Sequence, residues 1–196
     1  ELIDGGFIGG GQTHILSLVK NLDRNKFEAL IAASPNGEFK ELAEINGIEF
    51  ESLILPKRYH SKCLIELNEI IGLNQIDIIH SHGGVAGMYA RFYKKKYPNI
   101  KVIHTIHGIH YIHTNFFRKF ITQSIEQFLV PYADKYICVS ESDFEIAKRI
   151  KIIDPGKTVI IKNGIDLQKF QRRPKDPKLL EKYNLSGNDL VMGNIS

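Results

Sequence analysis

Short apolar, β-branched runs recur along the chain at 29–33, 50–55, 76–80, 101–105, 135–139 and 159–161. Runs of this length with little polar alternation suit strands buried on both faces, as in a parallel sheet. Between them the apolar residues fall at helical spacing: Ile15, Leu18, Val19 and Leu22, then Ile65, Ile70 and Ile71, then Phe117, Phe120, Ile121, Ile125, Phe128 and Leu129. Strand and helix in alternation predict an α/β fold, a Rossmann-like doubly wound parallel sheet with helices on both faces. Ligands of such sheets bind at the carboxyl ends of the strands, where the winding direction reverses, so the residues just after each strand are the ones to read for chemistry.

The length of 196 residues allows one large domain, or one domain and a linker. A polar stretch from Arg172 through Arg173, Pro174, Lys175 and Asp176 to Pro177 marks the boundary. Residues 1–171 are expected to form the first domain, and 172–196 a linker leading into the first strand, at 190–193, of a truncated second one. With 43% hydrophobic and 24% charged residues the chain is neither a disordered tail nor a membrane channel. No apolar run approaches the roughly 18 residues of a membrane span, and Glu1-Leu2-Ile3-Asp4 lacks the basic start and apolar core of a signal peptide, so the expected location is cytoplasmic. Cys63 and Cys138 have neither zinc nor redox spacing and read as free core thiols. The formal charge of +4 is modest, with basic runs at Lys94-Lys95-Lys96, Lys148-Arg149 and Arg172-Arg173. Such runs are commonly solvated faces, yet they are compatible with a nucleotide, a phosphorylated substrate or a membrane surface. No motif supports nucleic acid as a partner.

Four constellations could carry chemistry. The first is Gly5-Gly6-Phe7-Ile8-Gly9-Gly10-Gly11-Gln12-Thr13-His14, a loop running into a helix whose free N–H groups suit a phosphate. It is not a dinucleotide fingerprint, because no register gives G-x-G-x-x-G and the second strand ends in Ala33-Ser34 without an acidic residue. Gly156-Lys157-Thr158 is likewise no phosphate loop, since Lys151 stands where its first glycine belongs. The second is histidine: six of the eight lie between His80 and His113. His80 and His82 share one side of an extended strand, and His104, His107, His110 and His113 follow at intervals of three. That interval aligns metal ligands only on a helix, whereas Thr105 to Ile109 reads as strand end and loop, so no metal site is expected. His80 and His104 read as hydrogen-bonded strand residues, while His82 and His107 fall where the cleft belongs. The third is Val139-Ser140-Glu141-Ser142, in which Ser140 suits a helix N-cap. The fourth, Lys162-Asn163-Gly164-Ile165-Asp166, is a tight turn after the last strand.

Taken in order, Gly9 to His14, Asp77-Ile78-Ile79-His80-Ser81-His82-Gly83, Thr105-Ile106-His107-Gly108, Ala133-Asp134-Lys135-Tyr136-Ile137-Cys138-Val139-Ser140-Glu141 and Asn163-Gly164-Ile165-Asp166 resemble the amino-terminal half of the family 4 retaining glycosyltransferases, which have the two-domain GT-B fold. The resemblance covers nearly the whole chain. It implies transfer of a sugar from a nucleotide-sugar donor to a hydroxyl of a glycan or lipid-linked acceptor, with no metal or other cofactor. It further implies that this half receives the acceptor while the other half holds the donor. Carried over, Gly10, Gly11 and Gln12 face the donor pyrophosphate, His107 of the T-x-H-G segment is the catalytic residue, and Gly9, His14, His82, Gly108 and Ser140 line the acceptor side. The family's paired glutamates, E-x7-E, belong to the second half and are absent here, so this chain alone is expected to be inactive.

The family also places a central strand before the glycine loop, of which Glu1-Leu2-Ile3 is only a stub. One expectation is that the apolar tail at 190–193 fills that slot. The segment from Asn115 to Ile121 joins bulky apolar groups to Arg118 and Lys119. Most of its aromatics read first as core; the alternative is an amphipathic helix making peripheral contact with an anionic membrane. Two other functions remain open at this point, a sugar-nucleotide epimerase and a non-enzymatic histidine-rich metal carrier.

Overall fold

The computed structural model describes residues 1–109, 112, 114–168, 170–171 and 174–192. His110, His113, Arg172, Arg173 and Gly193, named above, lie outside the described residues. The chain forms two units, Glu1–Asn163 and Gly164–Ser196.

The first unit is built on one seven-stranded sheet in the order β3-β2-β1-β4-β5-β6-β7, and every strand pairing is parallel. The strands are β1 (Leu2–Ile3), β2 (Leu30–Ala33), β3 (Glu49–Ser52), β4 (Ile78–His82), β5 (Lys101–Ile106), β6 (Lys135–Cys138) and β7 (Thr158–Ile160). Six helices connect or cover them: α1 (Gly10–Lys20), α2 (Phe39–Ile45), α3 (Ser61–Leu73), α4 (Gly84–Lys96), α5 (Phe116–Leu129) and α6 (Glu141–Arg149). The strand order runs outward in both directions from β1, so the reversal of winding, and with it the ligand crevice, falls between β1 and β4. Two apolar clusters hold the layers together. Ile15 and Val19 of α1 and Phe39 and Ala43 of α2 pack with Ile3 and Ile31, and a larger cluster joins α3 and α4 to Leu2, Ile79, Val102 and Tyr136.

The central slot is filled by the stub itself, which corrects the expectation about the tail. Leu2 pairs with Ala32 on one side and Ser81 on the other, Ile3 pairs with His82, and both apolar side chains are buried. Two residues suffice because the Leu2 rung is paired on both sides and Ile3 extends the pairing with β4. Leu190–Met192 take no strand conformation. Among the described residues the second unit has one short helix, α7 (Pro177–Lys182), capped by Asp176, whose carboxylate accepts from the Lys178 N–H.

Helix α4 has no clean apolar stripe, because it is buried nearly all round: Tyr89, Arg91 and Ala90 are inaccessible. Its Arg91 is neutralised by Glu126 of α5 at 2.7 Å, and Gly87 lies flat against the His104 ring, where an added Cβ would fall 2.2 Å from Cε1. The basic run that ends α4 suits the negative end of the helix dipole, and Lys94 is drawn in to Asp134 and the Ile100 carbonyl. On α5 the expected core aromatics are instead exposed: Phe116, Phe117 and Phe120 keep 75%, 78% and 64% of their surface. Apolar spacing told which of them share a face and not whether anything covers it. Cys63 and Cys138 are free and buried.

Candidate active site

Because β4 and β5 run side by side in register, His82 stands opposite Thr105, and His107 follows one residue after β5 ends. Extended backbone sends Glu1, His80 and His82 to the same face of the sheet. The Glu1 carboxylate meets His82 Nε2 at 2.7 Å and His80 Nδ1 at 3.0 Å, and His80 Nε2 lies 2.7 Å from the Thr105 hydroxyl. His82 Nδ1 is in turn 3.0 Å from His107 Nε2. His14, the fifth residue of α1, sets its ring edge-on to His107, with centroids 5.0 Å apart and planes at 69°. Three histidines separated by up to 93 positions in sequence thus meet at the crevice. Burial lowers all three imidazoles: His82 to about 3 despite the hydrogen bond to Glu1, and His107 to about 4, helped by repulsion from His14 and His80. All three are neutral at pH 7. His104 belongs to the core instead, its Nδ1 3.0 Å from the Ser81 hydroxyl, and burial together with Arg91 holds it well below the usual imidazole range.

The glycine loop arches over the end of β1. Gly6 passes so close to the backbone after β2 that a Cβ would sit 2.4 Å from the Ser34 carbonyl oxygen and 2.2 Å from that of Asn36, so no other residue fits there without moving the loop. Helix α1 begins at Gly10 with Gly9 as an N-cap that lacks any side-chain bond, which leaves its first N–H groups open. Space beside Gly10 is free, whereas Gly11 abuts Ile3. The Gln12 side chain turns inward and donates to the Gly5 carbonyl at 3.1 Å, bracing the loop. Ser140 caps α6: its Oγ accepts from the Asp143 N–H and donates to the Asp143 carboxylate. Gly108, at φ +88°, turns the chain away after His107 in a conformation that side chains resist.

Beside the histidines opens a cleft of about 1010 Å³, lined in part by His107, Gly108, Gly83 and Gly84. Val85, Met88, Ile109, Phe117, Ile121 and Ile125 make an apolar wall, and Lys57, Arg58 and Arg118 bring positive charge. Asp4 also reaches it, its carboxyl raised by burial against the pull of Lys57. Two groups have metal-ligating spacing among the described residues, His14/His82/His107 and Glu1/His80/His82. Both depend on His82, whose two ring nitrogens are already committed to Glu1 and His107. Glu1, Lys57 and Arg58 were not singled out as site residues in the sequence, and Arg118 was read only as part of a candidate membrane-contacting helix. A carboxylate opening a buried strand was the available signal for Glu1, since buried charges are paired.

A match to glycosyltransferase family 4 spans residues 8–169. The chain belongs to this family. It is 30% identical over 132 residues to the UDP-Gal:alpha-D-GlcNAc-diphosphoundecaprenol alpha-1,3-galactosyltransferase of Escherichia coli, an alignment covering 66% of this chain and 34% of that enzyme. Among solved structures it superposes on a glycosyltransferase from Rickettsia africae with a TM-score of 0.75 at 19% identity, covering 95% of this chain and 49% of the other. Anabaena Alr3699/HepE in complex with UDP and glucose gives a TM-score of 0.72 at 18% identity, with 93% and 49% covered. The family 4 chain therefore has the fold of one half of GT-B glycosyltransferases, and spans about half the length of these structures and a third of the curated relative.

Proposed function

We propose that residues 1–171 form the acceptor-side domain of a retaining glycosyltransferase, and that 172–196 lead toward a donor-binding half without which transfer does not proceed. The observation that carries this reading is the placement of His107, a neutral imidazole just past β5, beside the reversal of winding, that opens onto the cleft. Family membership favours transfer over the epimerase and metal-carrier readings. The donor is a nucleotide-sugar whose pyrophosphate approaches the open N-terminus of α1 at Gly10 and Gly11, with the Gln12 brace beneath. His107 orients a hydroxyl of acceptor or donor at the reacting centre, and no bound metal takes part.

The acceptor is lipid-linked and anionic. An apolar wall beside Lys57, Arg58 and Arg118 suits a ligand that is part lipid and part phosphate, and the Escherichia coli relative is named for a diphosphate-linked polyprenyl acceptor. Gly9, His14, Gly108 and Ser140 are its proposed neighbours on this side, whereas the inaccessible His82, expected there from the sequence, stands behind His107 with both ring nitrogens engaged. The exposed Phe116, Phe117 and Phe120 beside Arg118 and Lys119 suit peripheral contact with the cytoplasmic face of an anionic membrane, where such an acceptor resides. No helix among the described residues is long and apolar enough to cross a membrane.

The test uses the full-length protein carrying this sequence, offered a panel of nucleotide-sugars and polyprenyl diphosphate-linked sugars, with nucleotide release recorded. Release from one donor that falls roughly 100-fold or more in His107→Ala is expected. Release that is unchanged in that variant would remove His107 from the reaction.

A further inference from the structure

Proton accounting along the buried chain Glu1–His82–His107 has one solution. A carboxylate has no hydrogen to give, so His82 Nε2, 2.7 Å from Glu1 Oε2, must be the N–H donor. A neutral imidazole carries a single N–H, so His82 Nδ1 is left as a lone pair. His107 Nε2 lies 3.0 Å from that lone pair and therefore carries the hydrogen of its own ring. The opposite polarity would set two lone pairs against each other at 2.7 Å in a site His82 shares with no water-accessible surface. A doubly protonated His82 is excluded by the same burial, which keeps the ring neutral far below pH 7. The carboxylate is itself held from a second side by His80, which is tied through Nε2 to Thr105. The edge-on ring of His14 limits rotation of His107 about its own axis.

We propose that Glu1 and His82 are positioning residues that lock His107 into the tautomer with hydrogen on Nε2 and the lone pair on Nδ1. The site thereby offers a substrate hydroxyl an acceptor rather than a donor. The inference rests on the reading of His107 as the residue at the reacting centre, and it adds what that residue presents. A ring free to exchange tautomers would spend part of its time as an N–H donor at Nδ1 and would hold a hydroxyl in the wrong sense. The remote carboxylate sets the direction of every bond in the chain, and it reaches His107 only through His82.

Two measurements test this. In protein labelled with 15N at histidine, two-bond proton–nitrogen correlation at pH 7 reports which ring nitrogen of His107 is protonated. The Nε2–H form is expected in the wild type, and a mixture in Glu1→Leu, which removes the obligate acceptor while filling the buried position. An Nδ1–H ring in the wild type overturns the proposal whether or not any variant folds, and so does a folded Glu1→Leu that keeps the pure Nε2–H form. In the full-length enzyme, Glu1→Leu is expected to lower kcat roughly tenfold or more with little change in KM. The double variant Glu1→Leu/His107→Ala should be no slower than His107→Ala alone, because the carboxylate acts only through that ring. A further loss of similar size on the His107→Ala background would show a merely structural role and refute the relay. Should His107→Ala itself retain activity, the functional reading fails, and the tautomer measurement still decides the proton accounting separately.

Discussion

A buried neutral imidazole makes the fold acid-sensitive, and His82 gives the size of the effect. Its pKa falls from the ordinary 6.5 to about 3, first through burial, with the bond to Glu1 opposing. In the unfolded chain the ring takes a proton as pH drops through 6.5, whereas the folded chain refuses it until about pH 3. The unfolded state therefore binds more protons in that window, and stability that is fully present above pH 6.5 is lost as pH falls toward 3. Each pH unit below 6.5 costs about 1.4 kcal/mol, so moving from pH 7 to pH 5 removes about 2 kcal/mol on account of His82 alone. The side chain is wholly inaccessible, so solvent screening does not reduce that figure. The chain has no tryptophan, so urea unfolding is best followed by far-ultraviolet circular dichroism and tyrosine fluorescence. Wild type and His82→Gln are compared at several pH values. Burial depresses His104 and His107 in both proteins, and their share cancels in the difference. The wild type should lose about 2 kcal/mol more than the variant between pH 7 and 5. Parallel curves would show that His82 takes up its proton without unfolding, and would refute the reasoning.

Three further outcomes are expected. Gly87→Ala drives a methyl group into the fixed His104 ring and should cost about 1–3 kcal/mol in urea unfolding, while Gly72→Ala, which meets nothing within 4 Å, should be neutral or slightly stabilising. Glu126→Ala leaves the inaccessible Arg91 guanidinium uncompensated and should cost about 3–5 kcal/mol, whereas Arg91→Met/Glu126→Leu should recover most of it; equal losses in the two would mean the pair is not what holds α4 to α5. Flotation with anionic liposomes should be strongly reduced by Phe116→Ser/Phe117→Ser, and flotation insensitive to both replacements would place any membrane contact elsewhere.

The inner strands were legible because parallel strands covered on both faces must be continuous apolar runs, and those runs alone order the sheet elements along the chain. Their ends were not. Strand β4 was read at 76–80 and lies at Ile78–His82, since Ile76 closes the turn onto Ile71 while polar Ser81 and His82 continue the ladder. Helix α4 escaped notice for a related reason. Periodicity needs a solvent face, and a helix enclosed nearly all round, exposed chiefly at its two ends and with Gly84 and Gly87 where strong helix formers usually stand, has little of one. The histidines showed themselves by number and by position after strands, yet the carboxylate that orders them did not. Glu1 and His82 are 81 residues apart, and their meeting depends on β1 and β4 being neighbours, a property of topology that local patterns do not carry.

The same topology separates two kinds of electrostatic work. Attraction of an anionic ligand calls for full positive charge, and Lys57, Arg58 and Arg118 supply it from the loop after β3 and from α5, in the wall of the cleft. Orientation of a hydroxyl calls for a fixed hydrogen-bond direction without a net charge that would compete for the phosphates. Burial of three imidazoles between β4, β5 and α1 keeps them neutral, and one carboxylate beneath gives them their sense. Had the histidines been exposed, part of them would be protonated near neutral pH, and the anionic ligand of the proposed function would find cations where that proposal has a hydroxyl held. The acid sensitivity expected of His82 is then the stability cost of keeping positive charge out of the centre of the site.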